Sequence, residues 1–196
     1  MTQNPSNPSP PVIPNALDAI VRAVGGGTER NRQAAPVHLW NPPYCGDIGL
    51  EIKADGTWMY RGSPITRRPL VELFASVLRK DEDGKTYLVT PAEKVDVKVA
   101  DAPFLAVEMQ VEGEGLARNV SFRTNLDTWV LVDPLHPIRF VVQEPAGGLK
   151  PYVLVRGRLE ALLVRAVYLD LVALAMEGDA PSGGFWSGGI WWSLGA

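Results

Sequence analysis

The chain has 196 residues, of which 46% are hydrophobic and 21% charged, a composition typical of soluble globular proteins. Its formal net charge of −3 gives no general attraction to nucleic acid or acidic membranes, so phosphate binding would require a local basic cluster. The one cysteine, Cys45, excludes an intramolecular disulfide and a cysteine-based metal framework, which favours a reducing cytosol.

Residues 1–35 are predicted to form a tail with one short helix and a linker. Residues 1–14 are rich in Pro, Ser and Asn and have neither a basic region nor an apolar core, so they do not predict a secretory signal. Asn15 is suited to cap a helix that we expect to dock on the body. Its apolar face would consist of Leu17, Ile20, Val21 and Val24.

A first α+β module is predicted over residues 36–100. The turn Ala54-Asp55-Gly56 predicts a hairpin between strands at 48–53 and 57–61. A helix follows, because apolar residues between positions 70 and 78 recur at helical spacing, with Thr66 as its expected cap and Pro69 in its first turn. Two more strands are expected near residues 87–89 and 94–99.

A second module is predicted over residues 101–196. Alternating apolar and polar residues predict strands near 105–111, 120–124, 128–132, 138–142 and 152–156. A helix is expected from about 159 to 176, too often interrupted by charges to be a membrane span. This order favours an antiparallel curved sheet capped by a helix, as in pleckstrin-homology-like domains. Residues 185–193 would form a terminal strand or an aromatic tail.

Several segments, taken in order over about residues 36–195, resemble the bacterial family known as domain of unknown function 1285. They are Cys45-Gly-Asp, Asp55-Gly-Thr-Trp with Tyr60, Gly62-Ser-Pro-Ile-Thr-Arg, Leu70-Val-Glu-Leu-Phe, Leu88-Val-Thr-Pro-Ala-Glu-Lys, Asp101-Ala-Pro-Phe, Phe122-Arg-Thr-Asn, Pro151-Tyr-Val-Leu-Val-Arg and Ser187-Gly. The resemblance implies a two-part α+β fold with related halves, a ligand groove between the halves for a nucleotide-like molecule, and a role in signalling. It implies no established reaction.

The best candidate for anion binding is Thr66-Arg67-Arg68 at the predicted helix start. Free N–H groups and the helix dipole favour an anion there, and guanidinium groups donate paired hydrogen bonds to it. Two cations at a positive helix end otherwise cost roughly 0.3–1 kcal/mol each, which invites a functional reason. The alternative is that both guanidinium groups point into water or pair with Glu72 or a nearby aspartate.

Two further arginines lie in apolar surroundings. Arg156 ends an apolar strand and Arg165 lies on an apolar helix, where an unpaired buried charge is costly. Their partners would be either a ligand phosphate or carboxylates such as Asp170 or Asp101. Lys94 and Asn125 lie at strand ends or breaks, where a groove would draw its polar lining, although Asn125 equally suits a turn.

Catalytic and metal sites are only weakly indicated. Cys45 and His38 could pair as nucleophile and base, but no pattern supplies a third group. A metal site would have to use the histidines and scattered aspartates, yet the chain lacks the histidine and cysteine spacings of known metal motifs. The residues in question are His38, His136, Asp47 and Asp133.

The leading hypothesis is a non-enzymatic, cytoplasmic binding module whose two halves enclose a groove for a small anionic, nucleotide-like ligand. Its expected site residues are Arg67, Arg68, Lys94, Asn125 and Arg156. The first alternative is a module that binds a protein partner through a sheet edge and the tryptophans at 186, 191 and 192. The second is an unrecognised enzyme. No cofactor, membrane span or general nucleic-acid binding is expected.

Overall fold

The structure, a computed structural model, describes Val21 and residues 35–145, 147–177 and 183–195. The predicted N-terminal helix and linker otherwise lie outside these residues. Val21 itself is helical, and its half-buried side chain packs against the core. Within the described residues, no helix is both long enough and apolar enough to span a membrane.

The described part of the chain folds into two sheet-rich modules with two α-helices, so the fold is α+β and mostly β. The elements of the first module are β1 (Tyr44–Ile52), β2 (Trp58–Tyr60), β3 (Ser63–Pro64), α1 (Arg68–Ser76), β4 (Leu78–Lys80), β5 (Thr86–Val89) and β6 (Lys94–Val99). Those of the second are β7 (Phe104–Glu112), β8 (Asn119–Thr124), β9 (Trp129–Leu131), β10 (Ile138–Gln143), β11 (Gly148–Arg156), β12 (Leu159–Leu163), α2 (Arg165–Met176), β13 (Gly184–Ser187) and β14 (Ile190–Ser193).

The two six-stranded sheets share one topology. The first has the order β3-β2-β1-β6-β5-β4, and the second has the order β10-β11-β12-β7-β8-β9. Counted within its own module, each sheet therefore follows the order 3-2-1-6-5-4, with its first and last strands paired in parallel at the centre. The modules differ in their helices: α1 connects the third and fourth strands of the first module, whereas α2 follows the sixth strand of the second.

Buried side chains from both modules form one hydrophobic cluster. Leu50 and Phe74 of the first module and Phe122 and Val153 of the second are fully shielded from solvent. The alternation that predicted the strands is visible in β8, where every second side chain is buried. Because the core is shared, the two modules pack as one body.

Three predictions about the fold are corrected. The helix expected from about residue 159 begins only at Arg165, because 159–163 forms β12, in which alternate side chains are buried. The second sheet is not wholly antiparallel, since β12 pairs with β7 in parallel. The N-cap of α1 is Arg67 rather than Thr66, and no side chain bonds to the free N–H groups there.

The hairpin β13–β14 docks on the second sheet through a buried serine. The hydroxyl of Ser187 accepts a hydrogen bond from Val120 N at 2.9 Å and donates one to Val132 O at 2.7 Å. The rings of Trp186 and Trp191 meet edge to face with their centres 5.5 Å apart. The aromatic segment is therefore a packed hairpin.

The link between β6 and β7 is tied to the second sheet by Asp101. Its carboxylate accepts hydrogen bonds from Lys150 Nζ at 2.6 Å and from the Tyr152 hydroxyl at 2.7 Å. Burial alone would raise the pKa of Asp101, but these two hydrogen bonds outweigh burial and lower the pKa. Folding therefore favours the charged carboxylate.

The variant Asp101→Asn is expected to be about 1–2 kcal/mol less stable than the wild type at pH 7, because it loses two charge-assisted hydrogen bonds. A carboxyl whose folded-state pKa is lowered stabilises the protein above its unfolded-state pKa, and this contribution disappears as the pH falls through the folded-state value. The stability difference should therefore shrink below about pH 4. Urea unfolding at several pH values measures it, and a constant difference across the series would contradict the assignment.

Candidate functional site

A cleft lies where the edge of the first sheet meets the β11–β12 turn of the second module. It has a volume of about 830 Å³, which falls within the size range of small-ligand sites. Three segments line it: 35–38, which leads into a short 3₁₀ turn; 78–81, which contains the edge strand β4; and 156–159. Both modules therefore contribute side chains to one concave surface.

The lining of this cleft is basic, although the whole chain is acidic. It contains four cationic side chains and one carboxylate, together with a histidine. They are Arg79, Lys80, Arg156, Arg158, Asp81 and His38. Concave surfaces lined by one sign of charge concentrate ligands of the opposite sign, so this lining favours an anion.

Arg156 is the most unusual side chain in the cleft. It is half-buried, and burial lowers the pKa of its guanidinium. Its Nη2 donates to the carbonyl of Ala75 near the C-terminal end of α1, and its guanidinium carbon lies 5.3 Å from the centre of the Phe104 ring. Its Nε is buried without an acceptor among the described residues. Among the described residues, this largely desolvated cation has a carbonyl and an aromatic ring, but no carboxylate, as partners.

Arg79 is held rigidly and helps to shape the wall of the cleft. Its guanidinium donates to Asp81 Oδ1 at 2.6 Å and to the carbonyls of Val37 and Trp40 at 2.8 and 2.7 Å. Burial would raise the pKa of Asp81, but hydrogen bonds from Arg79 and Lys94 lower it. The only carboxylate of the lining is thus already neutralised by two cations.

Arg158 is the exposed counterpart of Arg156. It pairs with Glu82 at 2.9 Å, and both side chains are largely exposed. Exposed ion pairs of this kind contribute little, about 0–1 kcal/mol, so little free energy opposes a change of partner.

Of the five site residues predicted from sequence, only Arg156 lines the cleft. Lys94 does not line the cleft, but it contacts one of the lining residues: its Nζ lies 3.2 Å from Asp81 Oδ2 and 4.4 Å from the centre of the Tyr87 ring. The remaining three, Arg67, Arg68 and Asn125, do not line the cleft, so the predicted group does not meet in one place.

Arg68 and Asn125 instead lie at a second junction between the modules. Arg68 pairs with Glu72 at 2.9 Å and with Asp127 of the second module. The side-chain oxygen of Asn125 accepts the N–H of Leu105 in β7 at 3.1 Å, rather than a backbone N–H of its own turn. Arg67 is exposed at the start of α1. Arg68 therefore joins the two modules through Asp127, away from the cleft.

Sequence reasoning missed the other basic residues of the cleft. Arg79 and Lys80 form an adjacent basic pair after the helix, and Arg158 follows Arg156 by two residues in a tight turn. Both pairs of basic residues can be read from the sequence, but only the packing of the two modules brings the pairs together. Lys80 lies on an edge strand, where charged side chains are also used to block further pairing.

The other chemical candidates have structural partners. The exposed Cys45 contacts the Pro43 carbonyl oxygen at 3.6 Å. His136 Nδ1 lies 3.0 Å from Asp133 Oδ1 within one turn, and Asp47 pairs with Lys98. Among the described residues, no group of three or more metal-binding side chains is present.

Comparison with protein families gives two adjoining matches. Residues 35–102 match the model described as domain of unknown function (DUF1285), N-terminal domain, and residues 103–194 match that described as protein of unknown function (DUF1285), C-terminal domain. Among curated proteins, no sequence matches this chain.

Two solved structures are similar to this chain. A DUF1285 family protein from Silicibacter pomeroyi DSS-3 is 42% identical and superposes with a TM-score of 0.79, over 91% of this chain and 93% of that one. A DUF1285 family protein from Shewanella baltica OS155 is 29% identical, with a TM-score of 0.49, over 64% of this chain and 91% of that one.

Proposed function

This chain belongs to the DUF1285 family, and we propose that it binds a small anionic, nucleotide-like ligand in the cleft between its two modules. The ligand would contact the second module through Arg156 and Arg158 and the first through Lys80. Binding across the junction would stabilise the packing of the two modules against each other.

The observation that supports this proposal best is the guanidinium of Arg156. It is desolvated, its pKa is lowered, and its Nε lacks an acceptor among the described residues. Burial of a cation in such a state is costly unless a negative partner is supplied. A phosphate or carboxylate in the cleft would supply the negative charge and accept a hydrogen bond from the guanidinium.

The proposal also includes three properties expected from the sequence. The second module would serve as a pleckstrin-homology-like unit, the protein would be cytoplasmic, and its output would be a signal rather than a reaction. The capped, curved arrangement of β7–β12 and α2 supports the first of these properties. The other two properties would follow from the identity of the ligand.

A thermal-shift panel tests ligand binding directly. ADP, GDP, cyclic AMP and inorganic phosphate are compared with uncharged adenosine. A ligand at about 100 times its dissociation constant stabilises the folded state by about 2.7 kcal/mol. For a chain of this length, that should raise the melting temperature by roughly 5–10 °C. Adenosine should have no such effect, and added salt should weaken binding.

The panel has one clear contradictory outcome. If no anion changes the melting temperature up to millimolar concentration, or if adenosine stabilises as well as ADP, the cleft is not an anion site. If an anion does stabilise the protein, isothermal titration calorimetry with that anion gives its dissociation constant.

A further inference from the structure

The outer face of α2 carries an apolar stripe that the described part of the chain does not cover. The stripe consists of residues spaced three, four and three positions apart, namely Ala166, Leu169, Ala173 and Met176. Leu169 and Met176 are 55% and 69% exposed. The opposite face of the helix, with Val167, Leu171 and Ala175, is buried against the sheet.

This spacing is that of a helix that packs on another helix. Apolar residues that alternate three and four positions apart form the narrow seam of paired helices, distinct from the wider face with which α2 packs on its own module. Isolated exposed apolar residues are normal on protein surfaces, but a continuous stripe with this period usually marks an interface.

The charges beside the stripe indicate the partner. With 100° per residue, Asp170 and Glu177 lie along one side of the stripe and Arg165 lies along the other. Within the described residues, Arg165 and Asp170 make no ion pair, and Arg165 stands in the first turn, where the helix dipole disfavours a cation. One side of the stripe is thus acidic and the other basic.

We propose that this stripe is the contact between two copies of the chain, whose α2 helices pair side by side and in parallel. A parallel twofold pair places the acidic side of each helix against the basic side of the other, so that Arg165 of one copy faces Asp170 of its partner. An antiparallel pair would instead place the two acidic sides together.

The size of the contact sets the strength of the association. A helix of 12 residues is about 18 Å long, so a single helix pair covers less area than the ~800 Å² per partner typical of stable complexes. We therefore expect a reversible dimer that forms with rising protein concentration.

Sedimentation velocity on the full chain, from about 5 to 500 µM, tests the proposal. The wild type should shift from monomer to dimer across this range. Leu169→Lys should remain monomeric because it places two lysines in the seam. A matched control is Leu135→Lys, which alters a leucine that is 77% exposed in the turn after β9 and should dimerise like the wild type. A monomeric wild type at the highest concentration, or a Leu169→Lys variant that still dimerises, would overturn the proposal.

A charge-reversal cycle tests the parallel arrangement. Arg165→Asp and Asp170→Arg should each weaken association by roughly fivefold or more, because each creates two repulsive contacts across the seam. The double variant should recover wild-type association, since it restores opposite charges. Arg165 and Asp170 are five positions apart on one helix and do not face each other, so recovery can only arise between copies. Failure of the double variant to recover would rule out this pairing.

Discussion

Replacing Arg156 with leucine is expected to weaken anion binding in the cleft at least tenfold, because removal of a buried charged partner usually costs more than 2 kcal/mol of binding free energy. Leucine retains apolar bulk against Phe104 and removes only the charge and its donors. Arg156→Lys should have an intermediate affinity, since it keeps the positive charge but loses the planar guanidinium and its paired donors. Calorimetric titration with ADP or inorganic phosphate measures the dissociation constants of the wild type and the two variants.

Arg68→Leu is the matched control for this experiment. Arg68 also joins the two modules through its guanidinium, but it does so in exposed ion pairs with Glu72 and Asp127 and does not line the cleft. The affinity of the Arg68→Leu variant for the anion should stay within about twofold of that of the wild type. Equal losses in both variants would mean that module docking, rather than direct contact, controls binding. Wild-type affinity of Arg156→Leu would remove Arg156 from the site.

The stability of Arg156→Leu should change by only about 1 kcal/mol, because two effects oppose each other. The variant loses the hydrogen bond to the Ala75 carbonyl, but it also removes the cost of a desolvated guanidinium. A side chain retained for stability alone would show the reverse pattern, a large loss of stability with unchanged binding. Urea unfolding of the same samples therefore distinguishes a ligand residue from a structural one.

Local patterns predicted most strands of the fold, and they failed where the local signal was ambiguous. Alternation along 119–124 indicated β8 because one face of that strand is buried. Alternation also indicated β7, although Val107 and Val111 are exposed and the buried side chains of that strand are Phe104 and Ala106. The run 159–163 is also a strand, but no glycine or proline separates it from α2, so the sequence favoured one long helix. The order of the strands cannot be read from any local pattern.

The sequence could single out one residue of the site, but it could not show which residues lie beside it. Arg156 stands out in the sequence because a charge that ends an apolar strand needs a partner. Its nearness to Arg79 and Lys80 depends on how the modules dock, which no spacing along the chain encodes. Arg68 had the right chemistry for an anion site, yet the same docking gives it Asp127 as a partner.

The two sheets share one strand order, and a connection that differs between them lies beside the cleft. In the second module, the third and fourth strands are joined by a tight turn that contains Asp133 and His136. In the first module, the corresponding connection contains α1, whose end carries the Ala75 carbonyl and leads directly into the edge strand β4. Both α1 and β4 contribute to the surroundings of Arg156. The cleft therefore lies beside a connection in which the two modules differ.

Replacing Phe74 with alanine is expected to destabilise the protein by about 3–5 kcal/mol, the usual cost of emptying an aromatic position in a closed core. The ring of Phe74 is fully buried, and its centre lies 6.2 Å from that of Trp58. Loss of this contact should lower the melting temperature by roughly 10 °C. Leu39→Ala is the control: this side chain is 73% exposed, so the variant should lose less than about 0.5 kcal/mol.

The same variant also tests whether the modules unfold together. Phe74 belongs to a hydrophobic cluster with residues of both modules, so urea should still give a single transition, with the same midpoint by far-UV circular dichroism and by tryptophan fluorescence. Two separated transitions would mean that the modules are independently stable. In that case, α1 could not hold the Ala75 carbonyl fixed against Arg156 of the other module, and the geometry of the cleft would have no rigid support.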